Sequence, residues 1–244
     1  MIQVATFAGT GKPHSEDAVL CADRILVDEA ASFTVPCSSF VAVADGVEGC
    51  PAGETAAQFV LSALKHCTPD TLLEQLTEIH HQLLQAGRVN PGFSGMATTL
   101  TGVYLSANNP LLFHVGNTRA YTLQGRYLKQ LTADHTLASW YSATQQTQQK
   151  AHCGQNTLLN YFGGTDAHAI DRLTVTILPK IGTLLLTSDG VHDYISADTM
   201  EEILASDLSD MEKCRHIADE ALRAYSSDDR TVVLIRWDDL SEPE

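Results

Sequence analysis

Short apolar stretches rich in Val, Leu, Ile and Thr, bounded by Gly, Pro, Asn or Asp, recur at residues 2–7, 18–28, 39–45, 98–106, 110–123, 126–131, 172–178, 182–188 and 230–237. Segments of this length and composition read as β-strands. Several follow one another across tight turn signals, Ala107-Asn108-Asn109-Pro110 and Gln124-Gly125, and links this short predict antiparallel pairing. Elsewhere the apolar period becomes helical. Gly53 to His66 places Ala56, Phe59, Val60, Ala63 and Leu64 on one face, and Asp70 to Gln85 does the same with Leu73, Leu76, Ile79 and Leu83. A second helical pair is predicted from about Asp198 to Ala205 and from about Asp210 to Tyr225, with Asp198 and Asp210 as N-caps. Strand runs interrupted by paired helices predict an α+β layered sandwich, two sheets packed on each other with helices outside, so that both faces of each sheet are buried. The stretch from Ser139 to Asn160 breaks the pattern. It is polar and repetitive, has no apolar stripe, and is expected to be a mobile flap or insertion.

Bulk properties narrow this picture. With 244 residues, 44% hydrophobic and 18% charged, one domain spanning 1–244 is expected. Acidic residues outnumber basic ones 30 to 15, a formal charge of -15, which argues against nucleic-acid or anionic-membrane partners because both demand clustered Lys and Arg. The six cysteines show neither a C-x-x-C pair nor a zinc-type spacing, as expected of free thiols in a reducing compartment. No basic n-region precedes a signal-length apolar stretch, and no segment reaches the roughly 18 consecutive apolar residues of a membrane span. A cytoplasmic location is the expectation.

Chemistry enters with three aspartates at strand ends. Asp45 closes the run from Phe40 and is followed by Gly46; Asp189 closes the run from Thr183 and is followed by Gly190; Asp228 opens onto Thr231–Ile235. Taken singly, Asp-Gly after an apolar run is a common hairpin turn, but neither copy is followed at once by a returning strand. Three strand ends aimed at one place would offer hard oxygen ligands, the type that Mg²⁺ and Mn²⁺ prefer.

In chain order the acidic candidates are Glu16-Asp17, Asp45-Gly46, Asp189-Gly190 and Asp228-Asp229, adjoining Gly116-Asn117-Thr118-Arg119 and Asp134-His135. With these motifs the chain resembles the metal-dependent serine/threonine phosphatases of the protein phosphatase 2C family, bacterial branch, over nearly its whole length from Gly9 to Trp237. The resemblance implies a four-layer α-β-β-α sandwich of two antiparallel sheets and a two-metal centre at one edge, holding two Mn²⁺ or Mg²⁺ ions. It implies that Asp45 bridges both ions, that Gly46 lends its carbonyl to one, that Asp189 and Asp228 complete the set, and that Glu16 and Asp17 orient bound water. The implied reaction is hydrolysis of phosphoserine and phosphothreonine in proteins by a bridging water, opposing a serine/threonine kinase. Two cations answer the slowness of that reaction by lowering the pKa of water and neutralising the transferring phosphoryl group.

Three positions depart from the pattern. Lys12 stands where an arginine commonly binds the substrate phosphate, keeping the charge but losing the bidentate fork; the alternative is an ordinary surface lysine. Asn117 replaces an aspartate that in many bacterial members helps hold a third ion, so a weak or absent third ion is expected. Val47 stands where animal members place a histidine. That leaves His135 open as either a general acid or a hydrogen-bonding spacer. His192 and Asp193, just after Asp189-Gly190, are expected near enough to the site to affect it, and Arg119 is expected to pair with a carboxylate near the strand turn. Two other readings stay open: a pseudophosphatase that binds a phosphoprotein without turning it over, and a phosphoesterase acting on a small molecule.

Overall fold

The computed structural model describes residues 2–9, 12, 14–106, 110–144 and 157–238. The strands are β1 (Ile2–Gly9), β2 (Asp17–Cys21), β3 (Arg24–Leu26), β4 (Ala30–Val35), β5 (Ser39–Asp45), β6 (Ala97–Thr98), β7 (Leu100–Leu105), β8 (Leu111–Val115), β9 (Arg119–Gln124), β10 (Tyr127–Gln130), β11 (Phe162–Gly163), β12 (Thr174–Ile177), β13 (Gly182–Thr187) and β14 (Arg230–Trp237). The helices are α1 (Gly53–Leu64), α2 (Leu72–Val89), α3 (Leu137–Ala143), α4 (Asp189–His192), α5 (Ala197–Leu204) and α6 (Asp210–Arg223). One sheet runs β10-β9-β13-β14-β1-β4 and the other β12-β8-β7-β5-β2-β3, and β11 pairs with β6 in a separate two-stranded ribbon. The paired strands are antiparallel, as in β1 with β14 and β5 with β7.

The central strands are continuous apolar runs because each faces a core on both sides. Val41 and Val43 of β5, Leu184 and Leu186 of β13, and Val233 and Ile235 of β14 meet between the sheets. The alternate residues Phe40, Ala42 and Ala44 point instead to α1 and α2, where Ala56, Val60, Leu76 and Leu83 cover them. On the far side Leu185, Val232 and Leu234 pack under α5 and α6 with Met200, Cys214 and Ile217. The layer order is therefore helices, sheet, sheet, helices, as expected. Arg236 on β14 ties α6 to its sheet through a two-pronged pair with Asp210 at 2.7 and 3.0 Å.

Several boundaries differ from expectation. The strand predicted over 18–28 is a hairpin, turned at Ala22 with φ of 56°, and the one predicted over 110–123 is broken by Gly116-Asn117-Thr118 into β8 and β9. Strand β4 was not predicted; its half-exposed edge residues blur the apolar signal. The N-caps are Ser196 and Ser209 rather than Asp198 and Asp210. Ser209 forms a capping box with Glu212, which frees Asp210 for Arg236 and leaves Asp198 in the first turn, where its charge suits the helix dipole. Of the expected flap, residues 139–143 belong to α3 and Leu158 bridges Thr136, while 145–156 lie outside the described residues, as do 107–109 of the expected turn. No helix among the described residues is long and apolar enough to cross a membrane.

Gly102 marks where β7 packs most tightly. A Cβ there would stand 2.5 Å from Ala42 Cβ and 2.7 Å from both Phe113 Cζ and Val41 O. Gly102→Ala is expected to destabilise the fold by about 1–3 kcal/mol through overpacking, read as a lower urea midpoint at unchanged slope. An unaltered midpoint would contradict this packing.

Candidate active site

The sandwich brings four acidic residues distant in sequence to one edge. Asp17 opens β2 and lies directly opposite Asp45, which closes β5. Asp189 starts α4 as the chain leaves β13, and Asp228 stands two residues before β14. Asp45, Gly46, Asp189 and Asp228 line one cavity of about 630 Å³ together with Lys12, Val47, Glu48, Thr99, Asn117, Thr157, Leu158, Asp193 and Tyr194. Glu16 and Asp17 sit behind this lining, Asp17 wholly buried and Glu16 partly so.

Backbone hydrogen bonds fix the frame. Gly46 N–H donates to Glu16 O at 3.1 Å and Thr99 N–H to Asp45 O at 2.8 Å, which pins the end of β5 between its neighbours. Ser188 N–H donates to Thr231 O at 3.1 Å, while Thr231 N–H returns to Ser188 Oγ at 2.9 Å, locking the start of α4 to β14. Gly190 permits this approach: any Cβ there would run into the Asp229 carbonyl.

Protein donors hold one oxygen of three of these carboxylates. Thr231 Oγ1 donates to Asp17 Oδ2 at 2.6 Å, Asn117 Nδ2 to Asp189 Oδ2 at 2.8 Å, and both Lys12 Nζ, at 2.6 Å, and Asp229 N–H, at 2.9 Å, to Asp228 Oδ1. The buried Asp229 accepts Glu16 N–H on Oδ2 at 2.8 Å. Asp17 Oδ1 and Asp229 Oδ1 are buried with no partner among the described residues. Burial and mutual repulsion drive Asp45, Asp17 and Asp189 toward their protonated forms. Asp45 is held well above the ordinary range, first by burial and then by Asp17, Asp189 and Asp228. Burial takes Asp17 up to about 7 despite the Thr231 hydrogen bond, and takes Asp189 up to about 6, aided by Asp228 and Asp193 and opposed by Asn117.

Crowded carboxylates with raised pKa values and unpartnered buried oxygens are a donor set that fits hard cations. Among the described residues no three His, Cys, Asp or Glu side chains converge closely enough to make a ligand cage unaided. Asp45, Asp189 and Asp228, with Gly46 beside them on the cavity wall, are the residues that could hold a cation, water completing its shell.

The remaining sequence candidates sort clearly. His135 accepts Gly116 N–H on Nδ1 at 3.2 Å and gives its own N–H to Gly116 O at 2.7 Å. Burial, His114 and Arg172 hold its pKa down to about 3. It is a neutral spacer that shapes the Asn117 turn, where Gly116 takes a φ of 114°. His192 is buried against Thr187 Oγ1 at 2.7 Å, and no histidine is among the described residues lining the cavity. Arg119 grips Asp134 with 2.9 and 2.7 Å hydrogen bonds, as expected of a structural pair. The sequence reading missed the donors: Thr231 read only as a β-branched strand residue, and Asn117 only as a poor ligand.

The family model of protein phosphatase 2C matches residues 10–227, and the chain belongs to that family. It is similar to the serine/threonine phosphatase stp of Listeria welshimeri, 29% identical over 210 residues that cover 80% of this chain and 82% of that protein. Among solved structures it is similar to the serine/threonine phosphatase Stp1 of Staphylococcus aureus, with a TM-score of 0.80 at 25% identity, covering 98% and 96% of the two chains. The catalytic domain of the serine threonine protein phosphatase PstP, solved in complex with two manganese ions, superposes with a TM-score of 0.74 at 26% identity, covering 97% and 99%.

Raised carboxyl pKa values carry a stability consequence. The folded state keeps protons that the unfolded chain releases near pH 4, so the penalty is absent below that pH and grows as pH rises through the folded values of about 6 and 7. In chelator, Asp189→Asn is expected to gain on the parent by about 1–2 kcal/mol between pH 5 and pH 8, measured by urea unfolding at each pH. A difference that stays constant with pH would contradict the crowding.

Proposed function

We propose that the protein hydrolyses phosphoserine and phosphothreonine in proteins, using two Mn²⁺ or Mg²⁺ ions. The observation that carries the reading is the convergence of Asp45, Asp189 and Asp228 from three strand ends on one cavity, in a chain of the protein phosphatase 2C family. In this reading Asp45, the Gly46 carbonyl, Asp189 and Asp228 hold the ions, while Glu16 and Asp17 support the cluster from behind. Bound cations of this type supply a water activated near neutral pH and neutralise charge on the transferring phosphoryl group. The chain's own residues orient these acids: Asn117 holds one oxygen of Asp189, which would leave the other to a cation, and Thr231 fixes Asp17 behind the cluster. Two ions rather than three suit Asn117, whose neutral carbonyl oxygen is a poorer ligand for a hard cation than an aspartate carboxylate. Two manganese ions in the similar PstP catalytic domain support the same number.

Lys12 is the group proposed to contact the substrate phosphate, as the one Lys or Arg among the described residues lining the cavity. The substrate is a phosphoprotein made by a serine/threonine kinase, met in the cytoplasm; the unpaired Cys21, Cys37, Cys50, Cys67 and Cys214 suit a reducing compartment.

Hydrolysis of a phosphothreonine peptide tests this directly. Turnover is expected with Mn²⁺ and is expected to vanish in excess chelator. Asp45→Asn and Asp189→Asn are each expected to lose more than about 100-fold, since even an outer partner of a metal ligand is worth about 10–100-fold, with the fold retained by circular dichroism. Full activity in either variant would refute the assigned ligands, and metal binding without turnover would favour a phosphoprotein-binding role.

A further inference from the structure

Lys12 does more than face the cavity. Its ammonium lies 2.6 Å from Asp228 Oδ1, 3.7 Å from Glu16 Oε2 and 3.9 Å from Asp229 Oδ2. Partial burial works against its charge, but the hydrogen bond and attraction to Asp228, with Asp229 and Glu16 beyond, outweigh that and raise its pKa. The lysine thus serves as an internal cation for the same acidic cluster that the proposed reading gives to divalent ions. At 32% side-chain exposure it is also open to the cavity. A lysine carries three rotatable donors on a flexible stem and has no planar fork to lock it onto one carboxylate. It can therefore change partner by stem rotation alone.

We propose that Lys12 exchanges partners as the site loads. Without divalent ions it neutralises Asp228 and Glu16; once divalent ions assume that task, it turns to the oxygens of a bound phosphate. This rests on the phosphatase reading given above. The exchange couples the two ligands, because the cation frees the donor that the phosphate needs, and by linkage the phosphate must strengthen cation binding in equal measure. Removing the ammonium then has two effects of opposite sign. Cation binding tightens, since no ion pair has to be given up, while phosphate binding weakens, since a donor is gone.

The test titrates Mn²⁺ calorimetrically into the parent and into Lys12→Met, then titrates inorganic phosphate into each at saturating Mn²⁺. The Mn²⁺ Kd is expected to fall about two- to fivefold in the variant, the scale of a partly exposed ion pair. The phosphate Kd is expected to rise about tenfold, the scale of one hydrogen bond to a charged group. Lys12→Gln repeats both signs if charge is responsible. Weaker Mn²⁺ binding in both variants would make Lys12 merely a prop for Asp228. Unchanged Mn²⁺ binding with weaker phosphate binding would make it a substrate contact alone, and an unchanged phosphate affinity would remove it from the substrate; each of these overturns the exchange. A parent that turns over substrate yet shows any of them leaves the phosphatase reading standing, whereas a parent that binds no Mn²⁺ overturns both.

Discussion

Repulsion among carboxylates at one edge of the sandwich is the constraint around which the molecule is arranged. Asp17 and Asp45 face each other directly across two antiparallel strands, a placement that is destabilising for like charges. Asp189 and Asp228 add to the same field from the other sheet. Nothing in strand packing asks for these residues; apart from Ser39, the rest of β2 and β5 is apolar, and all of it is buried. The cost is tolerated because hydrogen-bond donors spread the charge and because two rigid sheets leave the carboxylates nowhere to withdraw.

Those donors also set the chemistry. Thr231, Asn117 and Lys12 each hold one oxygen of a different aspartate, so the orientation of each acid is decided before any ligand arrives. The donors come from the same secondary structure that builds the core: Thr231 from β14, Asn117 from the turn between β8 and β9, which His135 holds in shape. Preorganisation of this sort is what a hard-cation site needs from its protein, because outer hydrogen bonds fix ligand orientation and basicity.

The layered architecture was readable from the sequence because both-sided burial turns central strands into unbroken apolar runs, as in Leu184–Leu186 and Val232–Ile235. The edge strand β4, half exposed, gave no such signal, and a three-residue interruption at Gly116-Asn117-Thr118 disappeared within a longer apolar stretch. Asp45 and Asp189 stood out because Asp-Gly after a strand followed by no returning strand is uncommon, and Asp228 because it opens onto an apolar run, whereas the role of Glu16 and Asp17 came only with the family resemblance. What no local pattern could show was partnership: Lys12 and Asp228 are 216 positions apart, and Thr231 meets Asp17 across 214. Cap choice also escaped, since Ser209 and Asp210 are both good caps and only the tertiary pair with Arg236 decides between them.

Crystals of the protein soaked in Mn²⁺, with diffraction recorded at the manganese absorption edge, would locate the ions themselves. The account predicts two anomalous peaks in the cavity lined by Asp45, Asp189 and Asp228, with no third peak beside Asn117. Peaks away from these aspartates, or an empty cavity at saturating Mn²⁺, would contradict it.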